Sequence, residues 1–249
     1  MKLLKKNEYN LCFTVIVIAL ALMPLLLLNG FVKSTTVLFL GKCMAFAIVA
    51  IGLDLIWGYT GILSLGHGLY FCLGAYGMGM YLKMVETHGK ITDFMQVGGL
   101  TELPLIWKPF LSLPGTFLMI FLVPLAVSGL IGYFIFKNRV KGVYFSIISQ
   151  ALTWAAYSIF IALSPYTNGN VGISQIQSVL GSLRGPKNEG NLVTLFYVAL
   201  VVLILIYALS YFLVHTKFGK ILIAIRDGEN RTYFSGYCVS NYKNVIYML

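Results

Sequence analysis

Long apolar stretches separated by short Lys/Arg clusters run from residue 11 to the end of the chain, and this alternation fixes the solvent for which the fold is built. Six stretches offer the roughly 20 residues a helix needs to cross the hydrocarbon layer of a bilayer: residues 11–28, 37–57, 68–84, 115–136, 142–163 and 192–214. A seventh begins near Asn244 and is cut off by the last residue. With 59% hydrophobic and 10% charged residues and a mean hydropathy of +0.85, a water-soluble fold of this length has no means of covering its apolar surface. The expected fold class is all-α: a polytopic helical membrane protein of about six full transmembrane helices plus a truncated seventh, in a single transmembrane domain over residues 1–249.

Lys2, Lys5 and Lys6 ahead of the first apolar run resemble the start of a secretion signal. The length of the run, and the lack of a small-x-small cleavage pattern after it, mark it instead as an uncleaved span. Short cytoplasmic loops concentrate Lys and Arg. An N-terminus inside places Lys2, Lys5, Lys6, Lys137, Arg139, Lys141, Lys217, Lys220, Arg226, Arg231 and Lys243 in the cytoplasm, eleven of the eighteen basic residues. The other seven spread over the external side, partly offset by Glu86, Asp93, Glu102 and Glu189. The net charge of +10 resides at span ends, with no basic stripe outside the membrane. It therefore suits anionic lipid headgroups and argues against nucleic acid. Cys12, Cys43, Cys72 and Cys238 form no CxxC pair and three lie in spans, so neither a zinc site nor a disulfide framework is indicated; they read as packing residues.

Within the spans, Gly68, Cys72, Ala75 and Gly79 share one helical face, as do Gly41, Ala45 and Gly52 on the span before. Small residues so placed let a neighbouring helix approach closely in lipid, whatever the function. Between these spans lies Gly58-Tyr-Thr-Gly-Ile-Leu-Ser-Leu-Gly-His-Gly68, with four glycines, Thr60, Ser64 and His67 in eleven residues. Two readings stand: an irregular segment at membrane depth, which needs protein or water around its backbone and marks a transport path, or an ordinary cytoplasmic turn. Asp54 is the only acid in the second span and fits a headgroup contact or a pairing with Lys141; His67 fits a turn position. Neither belongs to a metal or catalytic set, and an intramembrane enzyme would need one.

Ser146, Gln150, Thr153 and Tyr157 form an uncharged polar stripe on the fifth span, suited to interhelical bonding or to the path of a neutral polar solute. Thr167-Asn-Gly-Asn-Val-Gly-Ile173 reads as an external turn, and the Val/Ile/Leu-rich residues 198–209 of the sixth span as lipid-facing. After the sixth span, Phe218, Leu222 and Ile225 have helical spacing beside a charged patch of Arg226, Asp227, Glu229 and Arg231. This segment is either a solvated loop helix or a docking element.

Three stretches together resemble the permease subunits of ATP-driven importers for branched-chain amino acids and urea. Residues 58–68 resemble that family's Gly-x-x-Gly-x-x-Ser-Leu-Gly-His motif. Lys141-Gly-Val-Tyr-Phe-Ser-Ile resembles its Gly-x-Tyr-Phe-Ala/Ser-Ile stretch, and residues 218–236 its cytoplasmic loop ending in glycine and tyrosine. Residues 52–58, 102–110 and 139–152 bring the chain nearest to the family's urea-importing branch. The resemblance implies a coupling segment at residues 216–242 that meets an ATPase through Gly219, Ala224, Arg226, Asp227, Glu229 and Gly236. Departures are Ile223, Asp227-Gly228 and Thr232-Tyr233, where relatives carry Arg, Glu and small residues, and an end at Leu249 where relatives continue through further spans.

The resemblance further implies a bacterial inner-membrane, multi-pass subunit that works with a second homologous permease, two cytoplasmic ATPase subunits and an extracytoplasmic solute-binding protein. The sequence holds no Gly-x-x-x-x-Gly-Lys-Ser/Thr motif, so no cofactor is expected on this chain, and ATP-Mg belongs to the partner subunits. The expected role is non-enzymatic urea translocation along a path of Ser64, His67, Ser146, Gln150, Thr153 and Tyr157. Import of branched-chain amino acids or short amides by the same machine is the near alternative, and an ATP-independent carrier or channel the alternative from another class.

Overall fold

The computed structural model describes residues 6–28, 33–138, 140, 142–173, 176 and 189–249. Lys2, Lys5, Arg139 and Lys141 lie outside the described residues, and with them the basic start of the second motif. The elements in chain order are α1 (Lys6–Leu28), α2 (Ser34–Thr60), α3 (His67–Glu86), the short α4 (Asp93–Val97) and a 3₁₀ helix at Leu105–Leu111. There follow α5 (Leu113–Lys137), α6 (Gly142–Ala162), the single turn α7 (Ser164–Thr167), α8 (Glu189–His215), α9 (Lys217–Phe234) and α10 (Val239–Met248). No strand occurs among the described residues.

Four helices among the described residues are long and apolar enough to span a bilayer: Ser34–Thr60, Leu113–Lys137, Gly142–Ala162 and Asn191–His215. The six full spans expected from the sequence are thus reduced to four by this measure. In α1 the apolar run is the shorter Thr14–Pro24. At 1.5 Å per residue α3 is about 30 Å long, but four glycines, three tyrosines, His67 and Lys83 dilute its hydropathy. The expected seventh span is represented by α10, ten residues long.

Helix ends gather at two poles. At one, α9 lies against the last turn of α2, and Ser240 Oγ at the start of α10 donates to the Phe136 carbonyl near the end of α5 (2.9 Å). At the other, the 3₁₀ helix packs on α3 and α5, α4 packs on α7, and Trp107 Nε1 donates to the Tyr166 carbonyl (3.1 Å). Beneath α9, Leu55, Ile56, Ile62, Phe136, Phe145, Leu222, Ile246 and Tyr247 make one apolar cluster. Met80, Met84, Met95, Trp107 and Phe110 make another at the opposite pole.

Three expectations are corrected by the packing. First, α8 does not simply face lipid: Leu192, Phe196, Leu200 and Leu203 are buried against α1 and α2, while Val198, Val201, Leu205 and Leu209 point outward. Uniform apolarity conceals which face is packed, since lipid and core accept the same residues. Second, the close approach on α3 is not at Gly68, Cys72, Ala75 and Gly79. It is at Gly77, where a Cβ would stand 2.9 Å from the Phe110 ring and 3.1 Å from Ile120, whereas nothing lies within 4 Å of such an atom at Gly68. Third, Cys43, Cys72 and Cys238 are exposed and free rather than packed inside; the Cys12 side chain lies outside the described residues.

Where α5 meets α10, Gly132 admits the partner helix: a Cβ there would collide with Asn244 Oδ1 and reach Tyr247 Cδ1 at 2.9 Å. Gly132→Val is expected to lower stability by about 1–3 kcal/mol through overpacking, measured as an earlier thermal transition of the detergent-solubilised protein. Gly52→Val, where nothing lies within 4 Å, should leave that transition in place.

Candidate functional site

Helix α2 stops at Thr60 because Gly61 takes a left-handed conformation (φ 70°) and returns its N–H to the Trp57 carbonyl (3.0 Å). Glycine takes this conformation without the Cβ penalty that other residues carry. Residues 61–66 then leave the helix and α3 starts at His67. Burial along this stretch alternates: Ile62, Ser64 and Gly66 are buried, whereas Gly61, Leu63 and Leu65 are exposed. That period of two is the signature of an extended chain.

The extended stretch runs along α6. A Cβ on Gly142, at the start of α6, would lie 3.8 Å from the Gly61 carbonyl oxygen. One turn on, Ser146 Oγ donates to the Leu63 carbonyl (2.6 Å) and to the Gly142 carbonyl (3.2 Å). The Leu65 N–H donates to Ser149 Oγ (3.1 Å), which itself donates to the Ser146 carbonyl (2.9 Å). At Gly66 an added Cβ would stand 2.9 Å from the Ser149 carbonyl oxygen and 3.3 Å from Thr153 Oγ1. Between Gly142 and the level of Ser149 to Thr153 lie 7–11 helical steps, or roughly 10–16 Å. The stretch thus lies beside the first three turns of α6.

The sequence-predicted path residues occupy different positions. Ser64 is buried and shares a 2.8 Å hydrogen bond with His67 Nδ1, behind the extended stretch. Ser146 is spent on Leu63, and Thr153 Oγ1 donates to the Ser149 carbonyl (3.0 Å). Gln150 is exposed, about 40° around α6 from Ser146 at 100° per residue. Tyr157, also exposed, donates to Asn170 Oδ1 (3.1 Å). The stripe therefore lies along one border of α6, between its buried face and its open one.

Four residues of this region escaped the sequence reading. Ser149 sits one step off the Ser146–Tyr157 stripe, yet it is the hydroxyl that receives the Leu65 N–H. Tyr70 and Tyr247 share a 2.6 Å hydrogen bond and, with His67, meet edge to face. Phe145, 1% exposed, stacks on Phe136 below them. The signal for Ser149 was its place three residues after Ser146; the tyrosine pair joins positions 177 residues apart and leaves none.

The predicted coupling residues all fall on or beside α9. Arg226 Nη1 donates to the Gly58 carbonyl in the last turn of α2 (2.7 Å), while its Nε pairs with the exposed Asp227 (3.1 Å). A cation at a helix C-terminus faces the negative end of the helix dipole, a contribution of about 0.3–1 kcal/mol. Gly228 is non-helical (φ −166°, ψ 78°) and kinks α9, and Thr232 Oγ1 spans the kink to the carbonyls of Ala224 (3.0 Å) and Gly228 (3.1 Å). Beyond it, Glu229 holds the buried Lys243 of α10 at 2.6 Å. Gly219 is buried where a Cβ would collide with the Val214 carbonyl, and Gly236 (φ 88°) turns the chain from α9 toward α10. Asp54 is exposed and lines a crevice of about 460 Å³ between α2 and α8, with Tyr59, Tyr207, Ser210 and Tyr211.

Ser149→Ala is expected to cost about 1–3 kcal/mol by orphaning the Leu65 N–H, and Gly66→Val to cost at least as much because a backbone carbonyl stands in its way. Gln150→Ala should leave stability within about 0.5 kcal/mol of wild type, as an exposed side chain does. Thermal unfolding in detergent, run on the three variants together, checks the order.

Residues 35–249 match the family model described as branched-chain amino acid transport system / permease component. No curated protein and no solved structure matches the chain at a significant level.

Proposed function

The chain belongs to the permease family of branched-chain amino acid transport systems, and on that footing we propose that it is the membrane-spanning subunit of an ATP-driven urea importer in the bacterial inner membrane. It pairs with a second homologous permease, two cytoplasmic ATPase subunits and an extracytoplasmic solute-binding protein. The pole carrying α9 faces the cytoplasm, with the N-terminus on the same side. In support, Lys137, Lys217, Lys220, Arg226 and Arg231 gather at that pole, as short cytoplasmic segments require.

The observation that carries the proposal is the attachment of α9. Its apolar side, Leu222 and Ile225, is buried in the bundle, and Arg226 grips the end of α2. Its outer end leaves Tyr233 and Phe234 exposed, Phe234 at 85%, with Tyr237 exposed in the turn that follows. Grooves of about 320 and 380 Å³ flank the kink at Gly228. An aromatic residue left in water beside such grooves is the kind of anchor that dominates protein interfaces. ATP-driven closure of the ATPases pushes on α9, and Arg226 passes the displacement to the end of α2 and the extended stretch. The solute then moves along the polar border of α6, past Ser146, Gln150, Thr153 and Tyr157, with Ser64 and His67 behind. An uncharged border binds urea weakly enough for release.

The family description itself favours a second reading, import of branched-chain amino acids by the same assembly. Uptake of labelled urea and labelled leucine by nitrogen-starved cells with and without the gene separates the two. Loss of urea uptake alone supports the proposal, loss of leucine uptake moves the assignment, and loss of neither rejects both. Within the assembly, Gln150→Leu should reduce uptake with subunit association intact. Phe234→Asp should weaken ATPase co-purification by about 10–100-fold, the range of an aromatic hot spot. Arg226→Ala should leave co-purification in place and lower uptake, since its guanidinium is turned inward to Gly58.

A further inference from the structure

We propose that the apolar cavity between α3, α5, α6 and the 3₁₀ helix, at the pole away from α9, holds one acyl chain of a phospholipid whose anionic headgroup rests on Lys108. The inference concerns the bundle itself and holds whichever solute the chain carries. At the α9 pole α5 and α6 are joined, with Phe136 stacked on Phe145 at 5.2 Å between ring centroids. Toward the other pole a cavity of about 630 Å³ lies between the two helices, with Ile120 and Val123 of α5 on one side and Ile159 and Phe160 of α6 on the other. Among its lining residues Gly77, Trp107 and Phe110 are buried, whereas Leu105, Ile106, Ile159 and Leu163 are exposed. The cavity thus has a floor inside the bundle and an apolar mouth at its edge.

Such a lining offers little to a polar guest. No Lys, Arg, His, Asp or Glu is part of it. The Trp107 indole N–H is spent on the Tyr166 carbonyl (3.1 Å), and Thr167 Oγ1 donates to the Phe160 carbonyl (2.7 Å). An ordered water needs about 2–4 polar partners, and protein interiors keep few voids larger than a water molecule. The volume falls within the roughly 300–1,000 Å³ of sites that take small organic molecules. An aliphatic chain is the guest these walls accept, and the bilayer supplies one at the mouth. There Ile159, 57% exposed, belongs to α6, which is long and apolar enough to span. Side chains three apart in a 3₁₀ helix eclipse one another, which stacks Lys108 between Leu105 and Leu111, all three exposed. Among the described residues Lys108 joins no ion pair. A free cation beside an apolar mouth at the end of the spans complements the phosphate of a phospholipid.

The test uses the permease in native membranes with its partner subunits. Phosphatidylglycerol carrying a diazirine at the end of one acyl chain is incorporated, the membranes are illuminated, and the labelled residues are located by peptide mass spectrometry. The expected result is label on Gly77, Phe110 or Ile120. Val123→Trp and Ile159→Trp, which narrow the cavity, should each lower that label severalfold, while Leu118→Trp, on the outward side of α5, should leave it unchanged. Lys108→Gln should lower it severalfold and Lys108→Arg should retain it. Label confined to the outward Leu118, Phe121 and Leu122 would mean ordinary contact with surrounding lipid and would overturn the proposal. Floor label indifferent to both Val123→Trp and Ile159→Trp would overturn the cavity as the seat of the chain. Label indifferent to Lys108→Gln would overturn the assignment of the headgroup. Solute uptake is no part of the readout, so failure of the transport reading shows separately, as unchanged uptake on loss of the gene.

Discussion

Backbone satisfaction is the constraint on which the rest of this structure depends. Between α2 and α3 the chain gives up helical hydrogen bonds for six residues, in a bundle whose long helices are apolar enough for lipid. Two hydroxyls of α6 bond the Leu63 carbonyl and the Leu65 N–H. That arrangement dictates several other features. Position 66 suits a glycine, because a Cβ there would lie 2.9 Å from the Ser149 carbonyl oxygen and require a small shift. Phe145 and Ser149, each 1% exposed, form the face of α6 that meets the bundle. The open border of the same helix is where Gln150 and Tyr157 stand.

The pole with α9 couples to this region by two routes. Before the kink at Gly228, Arg226 is bonded to the last turn of α2, immediately ahead of the extended stretch. After the kink, Glu229 holds Lys243 of α10, whose Tyr247 reaches Tyr70 at the start of α3. Glu229 is half exposed, so the pair adds little stability by itself. The buried Lys243, however, would be stranded without it. α9 is thus tied to both ends of the extended stretch, through α2 on one side and through α10 and α3 on the other.

Much of this was legible in the sequence, and the limits have physical causes. Long apolar runs and the placement of Lys and Arg announced the helical membrane bundle, because length and charge alone decide what a bilayer accepts. The glycine-rich residues 58–68 announced an irregular backbone, and the Ser146–Tyr157 stripe a polar border. Hidden from sequence were the partners. Ser146 reads equally as a path residue or a bonding one until Leu63 is found beside it. The packed face of α8 was illegible because Val, Ile and Leu serve core and lipid alike. Composition leaves α3 out of the apolar spans although it is long enough, because glycines and tyrosines dilute it.

The docking of the extended stretch on α6 is open to one direct measurement. An ideal Cβ on Gly66 lies 3.2 Å from Ser149 Cβ, close to the roughly 3.5–4.5 Å that a disulfide requires. In a permease freed of its native cysteines, Gly66→Cys with Ser149→Cys should form a disulfide on mild oxidation in native membranes, while Gly66→Cys with Gly142→Cys should not. A disulfide with position 142 and none with position 149 would place the stretch at the end of α6, as an ordinary turn, and would contradict the account.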